Sequence, residues 1–157
     1  MKKPWNIPDL PVYSLATYES GKVNMNICTY VTAVSMKPKL YAVAVYKDTK
    51  TLQNIANNQF AVLQLLHTSH YNLVKKLGQT SGKVYDKEKY LHKKELLTKW
   101  EGYQIIKNIA TSVLLKKVNQ QLTGDHYLFV FETIKYKAYH TEYLTTGDLI
   151  KRKIVRM

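Results

Sequence analysis

The chain has 157 residues, the size of one domain, and 45% of them are apolar, enough for a globular core. Lys and Arg number 24 against 11 Asp and Glu, and the net charge of +13 makes anions the natural partners. A lone cysteine, Cys28, excludes an internal disulfide framework and a multi-cysteine zinc site, as suits a reducing compartment. No apolar run reaches membrane-spanning length and the first residues lack the apolar core of a secretion signal, so the expected location is cytoplasmic.

In chain order, Val12 to Thr17 predicts a strand, and Glu19-Ser20-Gly21-Lys22 a turn into the next. Met25 to Ser35 is β-branched, small or aromatic and reads as one strand, broken by a turn at Met36-Lys37-Pro38-Lys39. Leu40 to Tyr46 is a second strand, followed by the link Lys47 to Thr51 and a helix whose face carries Leu52, Ile55 and Ala56. Phe60 to Leu66 is a buried strand. Ser69 to Leu77 has helical spacing, with Ser69 as its cap and Gly78 as its stop. Residues 79–101 read as loop with helical turns around Asp86 to Tyr90, and two helices suffice for the chain. Tyr103 to Ile106, Ala110 to Val118 and His126 to Lys137 are strands, the last two joined through Asn119 to Asp125. On the last strand Tyr127, Phe129 and Phe131 share one face and Leu128, Val130 and Ile134 the other. A strand apolar on both sides asks for cover on each; a homodimer is the expected source for the second side, with a helix or loop of the same chain as the alternative.

The link before the first helix is suited to an anion. Amides of a helix's first turn have no intrahelical partner and carry partial positive charge. Lys47 and Lys50 add charge there, and Thr49 and Thr51 add hydroxyl donors. Asp48 either caps the helix or turns to a neighbouring lysine. Taken alone, these residues better describe an ordinary capped helix with solvated lysines. Elsewhere, His67-x-x-His70 lacks a carboxylate or cysteine at ligand spacing, so no metal is expected. Cys28 lies among apolar residues and reads as an inert buried thiol. There is no GxGxxG and no Walker motif.

Three blocks, in order, give this chain its resemblance to the flavin reductase-like family of FMN-binding split barrels. The first runs from Asn26 through Ser35 to Pro38 and on to Thr49-Lys50-Thr51. The second is Thr80-Ser81-Gly82-Lys83 with Asp86-Lys87. The third, the most specific, is Thr123-Gly124-Asp125-His126 running into Tyr127-Leu128-Phe129-Val130. The resemblance spans about residues 10 to 150 and implies a mainly β, Greek-key split barrel with a few short helices, one domain over 1–157, and a dimer with flavin at its interface. It also implies FMN, or FAD, as cofactor and NAD(P)H as substrate. Asn26, Ile27, Cys28, Thr29, Tyr30, Val31 and Thr32 would then line the isoalloxazine, and Lys47, Thr49, Lys50 and Thr51 would hold the phosphate. Ser81, Gly82 and Lys83 would approach from a loop, and His126 would orient the nicotinamide. By residue type alone, His126 is simply a half-exposed residue after a Gly-Asp hairpin turn.

Three functions follow in order of preference. The first is an NAD(P)H-dependent flavin reductase, with an oxygenase or redox protein as a partner for its product. The second is an electron carrier that keeps its FMN. The third is a basic β-barrel that binds nucleic acid, for which the scattered lysine pairs and 13 tyrosines supply no recognisable motif.

Overall fold

The computed structural model describes residues 1–156. It is mainly β, with nine strands and four short helices: β1 (Tyr13–Glu19), β2 (Lys22–Met25), β3 (Val31–Ser35), β4 (Leu40–Tyr46), α1 (Lys50–Asn57), β5 (Phe60–Leu65), α2 (Val74–Gly78), α3 (Lys87–Lys93), β6 (Leu97–Trp100), β7 (Tyr103–Ile106), β8 (Thr111–Thr123), β9 (His126–Ala138) and α4 (Thr146–Lys151). Seven strands form one antiparallel sheet in the order β2-β1-β5-β8-β9-β4-β3, and β6-β7 is a separate hairpin.

The expected strand from Met25 to Ser35 is two strands at opposite edges of that sheet. β2 ends at Met25 on β1, and β3 begins at Val31 on β4. Residues 26–30 cross between them. Cys28 exchanges backbone hydrogen bonds with Tyr13 at 2.8 and 2.9 Å, while the Tyr30 carbonyl accepts from the Ala44 amide at 3.0 Å. Asn26 Oδ1 accepts from the Leu15 amide at 2.9 Å. This irregular crossing laces the two sheet edges together and closes a split barrel. A residue pattern rich in β-formers could not separate ladder pairing from edge-to-edge bridging.

Strand alternation sorts the apolar residues into two cores. Inside the barrel lie Leu15, Val43, Val45, Leu63, Val113, Leu115, Phe129 and Phe131, with Ile55 of α1 plugging one end. On the other face, Ala16, Met25, Val62 and Leu114 pack under Leu73, Leu77, Leu91 and Leu149 of the helical segments. Phe129 and Phe131 are completely enclosed, each contributing roughly 1.5–3 kcal/mol by burial. The register of β8 with β9 skips Val118 and Ile134, so Ile134 is a bulge residue and does not simply continue the face of Leu128 and Val130.

Several boundaries differ from the sequence reading. His67, not Ser69, caps the turn Thr68–Leu73 that precedes α2, its ring nitrogen accepting from the Ser69 amide at 3.2 Å. Leu97–Trp100, read as loop, is β6. β8 and β9 run on until only Gly124 and Asp125 remain as the turn, Gly124 at φ +60°. Four helices form rather than two. α4 carries a reciprocal capping box between Thr145 and Asp148.

Candidate functional site

A cleft of about 440 Å³ opens where the crossing segment, the start of α1, residues 77–82 and the β4–β9 ends meet. Ile27, Cys28, Val45 and Leu77 give it an apolar floor, and Asn24, Asn26, Thr29, Thr49, Thr51 and Ser81 supply polar groups. Its size falls within the roughly 300–1,000 Å³ of small-molecule sites.

Glycine allows the walls to meet. A Cβ on Gly82 would stand 2.2 Å from Asn24 Oδ1, and one on Gly78 would stand 3.1 Å from Ile27 Cβ. The missing side chain at Gly82 lets the loop approach Asn24 on β2, and that at Gly78 gives a close approach to Ile27 of the crossing segment. Asn24 is itself held: its Nδ2 donates to Thr51 Oγ1 at 3.2 Å, and its carbonyl accepts from Thr17 Oγ1. The cleft wall is thus tied by hydrogen bonds to the first turn of α1.

At that turn Thr49 Oγ1 accepts from the Leu52 amide at 3.2 Å. The Lys50 and Thr51 amides remain as first-turn donors without a protein acceptor among the described residues. Asp48 does not cap; it pairs with Lys83, and that ion pair holds its carboxyl below the usual range. Lys50 pairs with Glu19, whose other oxygen accepts from Asn57 at 2.7 Å. Two cations nominated for a phosphate therefore already have carboxylate partners.

At the mouth, His126 lies opposite Tyr46 in the β4–β9 register. Its ring is 5.5 Å from both the Tyr30 and the Tyr46 rings, centroid to centroid. Nδ1 meets Asp125 Oδ1 at 2.6 Å, and this hydrogen bond is the leading cause of the lowered Asp125 pKa. A carboxylate at Nδ1 selects the tautomer protonated there and leaves Nε2 as the nitrogen offered to a ligand. Cys28 is buried, and burial pushes its thiol up to about 12, so it enters the wall as an apolar group.

Of the residues singled out from sequence, Asn26, Ile27, Cys28, Thr29, Tyr30, Thr49, Thr51, Ser81, Gly82 and His126 line this cleft. Val31 and Thr32 lie beyond it on β3, Lys47 is exposed, and Lys50 and Lys83 line an adjoining cleft. Sequence reasoning assigned no site role to Asn24, Tyr46 or Lys87, although Asp86-Lys87 belongs to the second block of the resemblance. Tyr46 could have been found by pairing the strand ends. Lys87 could have been found from its place four residues before Leu91, on the buried face of α3.

The sequence matches the family model described as a flavin reductase like domain over residues 9–146. No curated protein matches it. Among solved structures it is similar to a flavoredoxin from Methanosarcina acetivorans, at 23% identity and TM-score 0.76, over 88% of this chain and 75% of that one. An FMN-binding protein from Thermus thermophilus with bound p-hydroxybenzaldehyde aligns at 18% identity and TM-score 0.78, over 90% and 78%. An NADH:FAD oxidoreductase from Streptomyces globisporus, in complex with NAD and FAD fragments, aligns at 16% identity and TM-score 0.74, over 88% and 80%. At these identities the likeness is one of fold.

Proposed function

The chain belongs to the flavin reductase like domain family, and on that premise we propose that it is an NAD(P)H-dependent flavin reductase that binds FMN, or FAD, in the cleft closed by residues 26–30. The observation that carries this reading is the make-up of that cleft: an apolar floor, a first helical turn with spare amides, and an aromatic mouth around His126. These features suit a flavin. A flat ring system finds Ile27, Cys28 and Val45 beneath it, polar groups of Asn26 and Thr29 at its edge, and the first turn of α1 for a phosphate. The notch that a Cβ at Gly82 or Gly78 would fill keeps the opposite wall close.

The bound flavin supplies the hydride chemistry, so the protein's task is to hold, orient and shield. In this reading Thr51 and the Lys50 and Thr51 amides bind phosphate oxygens, Thr49 shapes the turn by donating its hydroxyl to the Tyr46 carbonyl at 2.9 Å, and Ser81 closes the loop side. Tyr30 and Tyr46 fix the imidazole plane of His126. Asp125 keeps the proton on His126 Nδ1, so that Nε2 is presented to the carboxamide of the nicotinamide or to a donor group on the ring. Val31, Thr32, Lys47 and Lys83 are not needed for these contacts.

Two further parts of the proposal concern partners. A homodimer would cover Leu128 and Val130, half-buried on β9, together with exposed Val118, Leu122 and Ile134. A partner oxygenase or redox protein would consume the reduced flavin. The likeness to a flavoredoxin supports a second reading, an electron carrier that retains FMN and receives electrons from a protein.

The His126→Ala variant separates these roles. The reductase reading expects reduction by NAD(P)H to slow about 10²-fold or more while FMN affinity changes less than about threefold, since a positioned side chain that acts in the reaction contributes roughly 10²–10⁴-fold. An equal loss of FMN affinity and reduction would assign His126 to the cleft wall instead.

A further inference from the structure

Ile55 of α1 plugs one end of the barrel; at the other end, where β4 and β8 begin and β9 runs out, a cleft of about 440 Å³ opens. Barrel mouths are a common seat for small molecules, and this one has the size of such a site. Tyr41, Val113 and Tyr136 give it apolar walls, and the exposed Lys39 and Lys137 line its rim. Among the described residues no carboxylate lines the cleft, and neither lysine forms an ion pair. Glu132 follows Phe131, which lies inside the barrel, and so projects from the other face of β9.

Two hydroxyls of the wall differ in their partners. Ser112 Oγ lies 3.2 Å from the Tyr139 hydroxyl and is answered, whereas Thr133 Oγ1 is buried with no hydrogen-bond partner among the described residues. A buried hydroxyl left unanswered costs stability that an acceptor on a ligand recovers. Tyr136 is 78% exposed, so the face of its ring is left to water beside an apolar wall. Such a ring offers a planar ligand a stacking surface. The cleft is remote from the one described above: Tyr136 stands ten positions along β9 from His126, about 30 Å of extended strand.

We propose that this barrel mouth is a second binding site, for a small aromatic carboxylate whose ring packs against Tyr41, Val113 and Tyr136 and whose charge meets Lys39 and Lys137. The chemistry of the wall sets the class. Two ammonium groups without acids call for a negative charge, and the Thr133 hydroxyl calls for an acceptor beside it; a carboxylate has two oxygens and answers both. A neutral ring leaves the lysines unanswered, and a bare inorganic anion leaves the apolar walls in water. The assignment stands whether or not the other cleft takes a flavin.

The test titrates the purified chain with 2-naphthoate, with neutral 2-naphthamide and inorganic phosphate as controls, by calorimetry and by NMR shifts. Expected is one 2-naphthoate per chain, with shifts centred on Tyr41, Val113 and Thr133 and no displacement by FMN. The amide and phosphate should bind at least about tenfold more weakly. Thr133→Val should weaken 2-naphthoate about tenfold, and without ligand it should melt no lower than the wild type, since it loses an unanswered hydroxyl. Lys39→Met with Lys137→Met should also cost about tenfold and flatten the salt dependence, and Tyr136→Ala should cost about fivefold. These three positions are exposed, so their changes leave the fold intact. Displacement by FMN, equal binding of the amide or of phosphate, unchanged affinity in any of the variants, or no saturable binding of 2-naphthoate overturns the site.

Discussion

At the residue scale, titratable groups separate those placed for solvent from those placed for a ligand or for the core. His70 belongs to the core. It is buried, and burial holds its imidazole below the ordinary range, with neighbouring His67 acting the same way and His140 adding to it. The nearby acid, Glu142, faces His67 at 3.7 Å. In the unfolded chain His70 takes up a proton as pH falls through about 6.5; in the fold it does so only at lower pH. Within that window the unfolded state binds more protons, so His70 contributes stability above about pH 6.5 that is lost as pH falls. Thermal melts of wild type and His70→Gln from about pH 7 to pH 5 check this: the wild type should lose more of its melting temperature than the variant, and parallel curves would contradict the assignment. Which residues meet at the cleft was only partly legible in the sequence. His126 and Thr51, which line it, could be named from pattern and resemblance, but the pairing of Lys50 and Lys83 with acids from distant elements depends on tertiary approach that spacing along the chain does not encode.

At the element scale, the crossing segment 26–30 is the piece on which both fold and cleft depend. Strand composition identified the residues but not the break, because a segment bridging two sheet edges needs the same extended, β-branched chain as a continuous strand. The short helices were harder still. α2, α3 and α4 are seven residues or fewer, below the length at which periodicity distinguishes a helix, and they are held by packing on the sheet. Gly82 reports directly on how residues 78–82 meet β2 at the entry to the crossing. In Gly82→Ala the new methyl collides with Asn24 Oδ1, and Asn24 cannot yield without giving up Thr51. Overpacking of this kind costs about 1–3 kcal/mol. Chemical denaturation should register that loss, and FMN affinity should fall with it. A variant of unchanged stability and affinity would mean that the two walls do not meet as described.

At the scale of the whole molecule, a mainly β barrel or sandwich was legible in the sequence through its seven strand-like runs and short connections and the split barrel only through the resemblance, while the strand order came only with the closed sheet. The net charge of +13 is a diffuse field that favours anionic nucleotides at long range and weakens with salt. The second copy proposed to cover β8 and β9 makes a prediction of its own. Light scattering should give about twice the mass of the 18.3 kDa chain, and Leu122→Lys together with Val130→Lys should return it to one; a wild-type monomer at micromolar concentration would remove the dimer. The claim on which everything else rests is that this cleft takes a flavin and exposes it to a nicotinamide nucleotide. Its most direct test is an anaerobic titration of the purified chain with FMN, followed by NADH or NADPH. Saturable binding and then bleaching of the flavin absorbance is the predicted result. Binding without bleaching by either nucleotide would contradict the reductase and leave an electron carrier, and no binding of FMN or FAD would contradict the flavin site itself.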